Sequence, residues 1–388
     1  MSGESRTVES VYVHAPFCVR RCLYCDFAVT VRPEGDVDGW ADALAAELSW
    51  LDRHGVRLAD VLRTVYVGGG TPSLLGATAM ARLATVLGTA RLTSTDLEWT
   101  AEANPESFTD VLGGAWREAG VNRLSLGVQS FHEPTLRWMG RMHGADGAER
   151  AVRAAKAAGL TNVTVDLVFG LPAHLSRPWS EDLGRVLDLD VPHVSLYGLS
   201  VESGTPLGRA VAEGREPGVD EERYREEFLE AAEQLTSAGY EHYEVSNFAR
   251  PGYASRHNAV YWDGRAYLGL GNGAHSYLHP SRWWNVRDWA TYRTRLGAGD
   301  TPEEGRERIE PATQALEQTW LGLRTNQGLA LEGRTEAVLA RVREWERGGH
   351  ATISDQRVRL TVEGWLLLDR LAVELDSLDA PRPVAAAG

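Results

Sequence analysis

Val11-Tyr-Val-His14-Ala-Pro-Phe-Cys18-Val-Arg-Arg-Cys22-Leu-Tyr24-Cys25-Asp-Phe27 runs from a β-branched strand straight into three cysteines. They are the only cysteines in 388 residues. An odd, tightly clustered set is a poor disulfide framework, so these thiols need another explanation. Thiolates are soft ligands that suit zinc or iron–sulfur clusters, and a structural zinc or an electron-transfer cluster wants four of them. Three leave one iron of a [4Fe–4S] cluster open to an outside ligand, which points to catalysis or cofactor capture. Two other readings use the same residues. The spacing also places three small thiols on one helix face, although Pro16 and the pair Arg20-Arg21 oppose a buried helix. A zinc site completed by His14 satisfies ligand preferences as well.

Outward from this loop, strand-like runs recur at Val11–His14, Thr64–Val67, Leu97–Ala101, Arg123–Val128, Val163–Phe169 and His193–Leu199. Amphipathic stretches fall between them at Val37–Arg53, Ala77–Leu87, Ala145–Ala158 and Pro178–Leu189. Such alternation predicts βαβ units and a parallel sheet, an α/β fold. Six units make a partial barrel or an open sheet, since eight are needed for closure. In both, the C-terminal ends of the strands carry the site. Those ends hold His14, Gly68-Gly-Gly70, Glu102 and Gln129, with Asp166 inside its strand.

Hydrophobic residues at 43% and charged residues at 24% exclude a disordered or fibrous chain. Forty basic against 54 acidic residues give a net charge of −14, which disfavours general nucleic-acid or membrane-surface binding. No run approaches 18 apolar residues, and the start lacks an apolar secretion core, so the expected location is cytoplasmic.

A helix is expected at Val219–Ser237, and Tyr240–Tyr292 then turns rich in Gly, Tyr and Trp. Pro302–Gly305 reads as a linker. Helices at Pro311–Arg324 and Gly333–Gly348, a hairpin at Ala351–Thr361 around Asp355-Gln356 and a helix at Val362–Leu375 together suggest a winged helix. Thr301–Leu378 holds 10 Arg against 14 acidic residues, so a DNA-binding face lacks its electrostatic footprint. The expected division is a core over 1–240, an aromatic, barrel-extending segment over 241–300, a C-terminal domain over 301–378 and a flexible tail over 379–388.

The C-x3-C-x2-C spacing with Tyr24 before the last cysteine resembles the signature of radical S-adenosylmethionine (SAM) proteins. The resemblance implies a partial (βα)6 barrel with Cys18, Cys22 and Cys25 on a [4Fe–4S] cluster whose open iron takes SAM. It further implies SAM contacts from Gly69, Gly70 and Thr71 of the GGTP segment, and from Glu102, Gln129, Arg141 and Asp166. Tyr12, Tyr24 and Gly198 would complete the wall.

Tyr12-x-His14-x-Pro-Phe-Cys18, Gly68-Gly-Gly-Thr-Pro72, Gly127-Val-Gln-Ser130, Asp166-Leu-Val-Phe-Gly-Leu-Pro172 and Glu202-Ser-Gly-Thr-Pro-Leu207 narrow the likeness to the oxygen-independent coproporphyrinogen III dehydrogenase group. It runs from about Val11 to Leu375. Two features depart from the dehydrogenases. Their further cysteine is Phe27 here, and only Met1–Ser10 precede the first strand where they carry a long extension. His257-Asn-Ala-Val-Tyr-Trp262 instead matches an H-N-x-x-Y-W motif of the heme chaperones called HemW, as do Glu244-Val-Ser-Asn-Phe-Ala249 and Gly269-Leu-Gly-Asn-Gly-Ala-His275. Imidazole suits heme iron and aromatic faces suit a flat macrocycle, so the resemblance puts His257 on heme. It also implies heme and heme-accepting apoproteins, those of the respiratory chain among them, as partners. Peripheral contact with membrane proteins and a homodimer are implied too, and no nucleic acid. The alternative is an enzyme that oxidatively decarboxylates coproporphyrinogen III to protoporphyrinogen IX with SAM.

Overall fold

The computed structural model describes residues 6–379. The tail expected from 379 onward therefore lies, apart from Asp379, outside the described residues. A nine-stranded sheet forms the centre. Six of its strands run parallel and adjacent in chain order: β1 (Ser10–Ala15), β2 (Thr64–Gly69), β3 (Glu98–Ala103), β4 (Arg123–Gln129), β5 (Val163–Phe169) and β6 (His193–Gly198). This is the α/β partial barrel of six units read from the sequence. Its crossover helices include α1 (Val37–Arg53), α2 (Ala79–Leu87), α3 (Asp110–Ala119), α4 (Gly147–Ala157) and α5 (Trp179–Asp188).

Helix α3 went unread because Gly113-Gly114 interrupts its pattern. It forms because Thr109 caps the Leu112 N–H at 3.1 Å while Leu112 and Trp116 face the core. A Cβ on Gly113 would sit 2.9 Å from the Phe108 ring, so the glycine is what lets this helix pack.

Side chains along a strand alternate between two faces, and the faces here differ in chemistry. Val11, Val13, Val65 and Val67 are fully buried, alternating with Tyr12, His14, Tyr66 and Gly68. The register sets Tyr12 opposite Tyr66, Tyr66 opposite Thr100, Glu102 opposite Ser125, and Asp166 opposite Ser195. One set of residues is thus apolar, and the other brings polar and aromatic groups into a common ring.

Residues beyond 240 extend both edges. Strand β8 (Asn247–Ala249) pairs antiparallel with β6 and β7 (Glu241–Glu244) antiparallel with β8, while β9 (Leu268–Leu270) pairs parallel with β1. Pro302–Gly305, expected as a linker, instead opens a strand. With β10 (His275–Leu278) and β11 (Ser281–Asn285), β12 (Glu303–Arg308) makes an antiparallel three-stranded sheet. Its Glu/Arg-rich sequence reads as loop because the strand is exposed along one side, yet Arg306 lies 4.8 Å over the Trp283 ring.

Helices at Pro311–Arg324, Glu336–Arg347 and Leu368–Asp379 surround a small sheet of β13 (Leu329–Ala330), β14 (Ala351–Ser354) and β15 (Arg357–Leu360), a winged-helix-like arrangement. Asp355 and Gln356 turn the hairpin at φ 51° and 56°, as a two-residue turn matching strand twist requires. The expected helix Val362–Leu375 breaks into Val362–Trp365 and Leu368–Asp379. This unit docks on the β7 side, where the Arg324 guanidinium pairs with Glu244 at 3.0 Å and the Val245 N–H donates to the Arg324 carbonyl at 3.1 Å. No described helix is long and apolar enough to cross a membrane.

Helix α1 is pinned to the barrel by two polar side chains. The Trp40 indole N–H donates to the His14 carbonyl at 2.8 Å, and buried Glu47 accepts from the Gly271 N–H (2.8 Å), the Tyr292 hydroxyl (2.5 Å) and the Asn285 amide (2.5 Å). Burial pushes the Glu47 carboxyl up to about 7. An unfolded Glu ionises below that, so the folded state is favoured at acid pH and loses this advantage as pH rises through about 7. Glu47→Gln, which cannot ionise, should flatten that part of the profile, and Glu47→Ala should cost on the order of 3 kcal/mol by stranding three donors. Chemical denaturation at about pH 5 and about pH 8 checks both.

Candidate functional site

Two short strands, Phe17–Cys18 and Thr30–Val31, tie the base of the cysteine loop. The Thr30 N–H donates to the Pro16 carbonyl at 2.7 Å and the Arg32 N–H to the Cys18 carbonyl at 2.9 Å. Between them the loop crosses the C-terminal ends of the strands, with a turn in which the Cys25 N–H donates to the Cys22 carbonyl at 3.3 Å. It roofs a cavity of about 360 Å³. Cys18, Cys22 and Cys25 line that cavity together with Tyr24, Gly69, Gly70, Thr71, Glu102, Gln129, Arg141, Asp166 and Gly198. Residues up to 180 positions apart in the sequence reading therefore meet on one wall.

Backbone geometry explains several of these identities. Gly69 sits at φ 107°, where a Cβ would strike the His14 ring, and a Cβ on Gly70 would meet the Ala15 carbonyl at 2.6 Å. Gln129 adopts φ 70° at a register shift between β4 and β5, a costly conformation for a residue other than glycine. The shift turns its side chain into the cavity lining.

The cavity floor is charged but poorly solvated. Glu102 accepts from the Tyr66 hydroxyl at 2.7 Å and the Gly69 N–H at 3.0 Å, and burial still pushes its carboxyl up to about 7. Burial likewise raises Asp166 to about 6, against hydrogen bonds from the Ser125 hydroxyl at 3.0 and 3.1 Å. Arg141 donates to Asn104 Oδ1 at 2.7 Å and to the Tyr24 hydroxyl at 3.3 Å, while its buried Nε has no partner.

Three contributors were not anticipated from the sequence. The Cys18 thiol lies 3.4 Å from Thr71 Oγ1, which accepts from the Asn104 amide at 3.3 Å; that amide also reaches Glu106 at 3.2 Å, and Glu106 lies 3.5 Å from buried His143. Asn104 follows Glu102 by two residues and so faces the same side. That spacing was the available signal. Glu106 and His143 offered none.

Two expected residues fall outside the lining. Tyr12 lies deeper in the barrel, its hydroxyl 3.1 Å from His14 Nδ1 and its ring stacked on Tyr66. His257 lies on the helix Arg256–Trp262, 1% exposed, with Nδ1 2.8 Å from Thr64 Oγ1 and Nε2 2.9 Å from the Tyr261 hydroxyl. Thr64 opens β2, so this imidazole packs the end of the barrel opposite the cysteines. Both nitrogens are engaged, and as folded it offers heme iron no free donor. No residue of 241–300 or of the C-terminal domain lines the cavity, so that domain does not cover the mouth.

The donor set fits an iron–sulfur cluster better than zinc. His14, the proposed fourth zinc ligand, has Nδ1 on Tyr12 and Nε2 2.9 Å from the Ala28 carbonyl. Among the described residues no three ligating side chains converge on a single ion. Burial pushes the Cys18 thiol up to about 11 and raises Cys25 as well, so bound metal is what would hold them as thiolates. Two carboxylates, a glycine turn and a partly unsatisfied guanidinium suit a zwitterionic, hydroxyl-bearing cofactor beside that cluster.

Comparison with known proteins agrees. A model described as Radical SAM superfamily matches residues 12–176. The heme chaperone HemW of Mycobacterium tuberculosis (strain CDC 1551 / Oshkosh) is 40% identical over 375 residues, covering 92% of each chain. That of Bacillus subtilis (strain 168) is 32% identical over 373 residues, covering 93% of this chain and 97% of its own. Among solved structures, coproporphyrinogen III oxidase (HemN) from Escherichia coli superposes with a TM-score of 0.79 over 96% of this chain and 91% of its own, at 21% identity, a likeness of fold. On near full-length identity to these relatives, the chain belongs to the heme chaperone HemW family of radical SAM proteins.

Proposed function

We propose that this protein binds a [4Fe–4S] cluster, SAM and heme, and delivers the heme to acceptor apoproteins, those of the respiratory chain among them, in the cytoplasm. The observation that carries this reading is the 40% identity to a heme chaperone over 92% of both chains. The cavity supplies the means. Cys18, Cys22 and Cys25 would hold three irons of the cluster, and Gly69, Gly70 and Thr71 would help hold the cofactor that takes the fourth. When bound, such a cluster supplies an electron to the sulfonium of SAM. Glu102 would accept from the ribose hydroxyls, Arg141 would face the SAM carboxylate with Nε, and Gln129 and Asp166 would close the remaining wall. The dehydrogenase alternative shares the fold, but Phe27 replaces the further cysteine that those enzymes carry.

Protein reconstituted without oxygen should bind close to one heme per chain saturably, by absorbance, and pass it to apomyoglobin in solution. Unsaturable binding, or heme that never transfers, would overturn the reading. Glu102 makes a separate prediction. Its carboxyl ionises near 7, and a carboxylate accepts ribose hydroxyls better than the neutral acid does. Affinity for SAM should therefore rise between about pH 6 and about pH 8, by roughly tenfold or less, and Glu102→Gln should bind more weakly without that rise. Anaerobic calorimetric titration measures it.

A further inference from the structure

Three large apolar side chains stand exposed around the mouth of the cysteine cavity: Phe27 (62%), Val19 (44%) and Met142 (44%). Singly exposed apolar residues are ordinary, but three on one rim form a patch that something covers. Two arginines of the same loop, Arg20 and Arg21, line that mouth. Arg20 donates to the Gly140 carbonyl at 3.5 Å, and neither guanidinium is ion-paired among the described residues, in a chain of net charge −14. The rim is thus apolar and locally cationic, and a dianion is attracted to it.

We propose that heme seats across this rim, with its macrocycle on Phe27, Val19 and Met142 and its two propionates on Arg20 and Arg21. This rests on the heme-chaperone reading above and adds where the cargo sits and what holds it. The floor of the cavity is left to the cluster and SAM. Guanidinium forks match carboxylates in geometry and charge. Met142 is placed at the iron: no histidine lines the cavity, the three cysteines are taken by the cluster, Tyr24 is held by Arg141, and of the exposed rim residues only Met142 carries a donor of a kind that serves as an axial heme ligand. The backbone presents it. Gly140 and Gly144, at φ 81° and 65°, bracket a short loop in which Arg141 turns inward to Asn104 and Tyr24 while Met142 stands outward. Phe27 holds the position where the dehydrogenases have their further cysteine, so the same place in the loop would hold a macrocycle instead of a thiol.

The test is a heme titration of the full-length, anaerobically reconstituted protein, with iron and sulfide counted per chain. Wild type is compared with the double variant Arg20→Glu/Arg21→Glu, with Phe27→Asp and with Met142→Ala. The charge reversal and Phe27→Asp should each weaken binding by about tenfold or more, as lost charge-assisted and apolar contacts imply. Met142→Ala lies outside the cysteine loop, so it remains informative if the other two disturb the cluster. It should shift the Soret band and the iron spectrum at unchanged stoichiometry. One heme per chain in every variant, with wild-type affinity and spectrum, would overturn the seat while leaving the chaperone reading intact. Charge reversal that slows cluster reduction by an acidic electron-donor protein, with heme binding unaltered, would make the rim a protein-docking face and overturn it too. No saturable heme on wild type would remove the reading and the seat together.

Discussion

Six parallel strands bury valines toward their helices and gather tyrosines, carboxylates and hydroxyls on the other face, and each of those inner groups must find a partner or cost stability. Here they find one another. Tyr66 donates to Glu102, Ser125 to Asp166, and His257 spans Thr64 and Tyr261. This interlocked inner face fixes the strand ends, and the strand ends fix the cavity. The cysteine loop adds little structure of its own. It is tied at its base by two backbone hydrogen bonds and lies where the strands stop.

The same constraint produces the chemistry. Glu102 and Asp166 are pushed toward neutrality by the burial that holds them in place, so their charge is available only to a ligand that compensates for it. The Cys18 and Cys25 thiols are raised for the same reason, and a bound metal would hold them ionised. Arg141 supplies positive charge between the two sets, steadied by Asn104 and Tyr24. A cavity that penalises its own carboxylates and thiolates is prepared for cofactors that bring positive charge.

Much of this was readable in the sequence, because it rests on local pattern. Strand and helix periodicity located all six barrel strands, and helix α1 to the residue. The cysteine spacing and the glycine turn marked the loops that matter. What escaped depended on tertiary context. Gly113-Gly114 conceals a helix whose close packing on Phe108 is the reason for the glycine. The charged run at Pro302–Gly305 conceals a strand because its pairing partner lies about twenty residues earlier. His257 shows the limit most sharply. A His-Asn-x-x-Tyr-Trp motif specifies residue types, but the side of the barrel on which its helix docks depends on Thr64 and Glu98, far away in the chain. Tyr12 and Tyr66 are neighbours on one face, and only the register shows that Glu102 leans on the second.

Three cysteines at the strand ends would hold a cluster with one open iron that SAM can reach. Electron paramagnetic resonance of the reduced, reconstituted protein, recorded before and after SAM is added, reads this out. The [4Fe–4S] signal should change its g-values when SAM binds, and that change should be lost when Glu102 is replaced by Gln at SAM concentrations near the wild-type dissociation constant. A cluster signal indifferent to SAM at saturating concentration would contradict it.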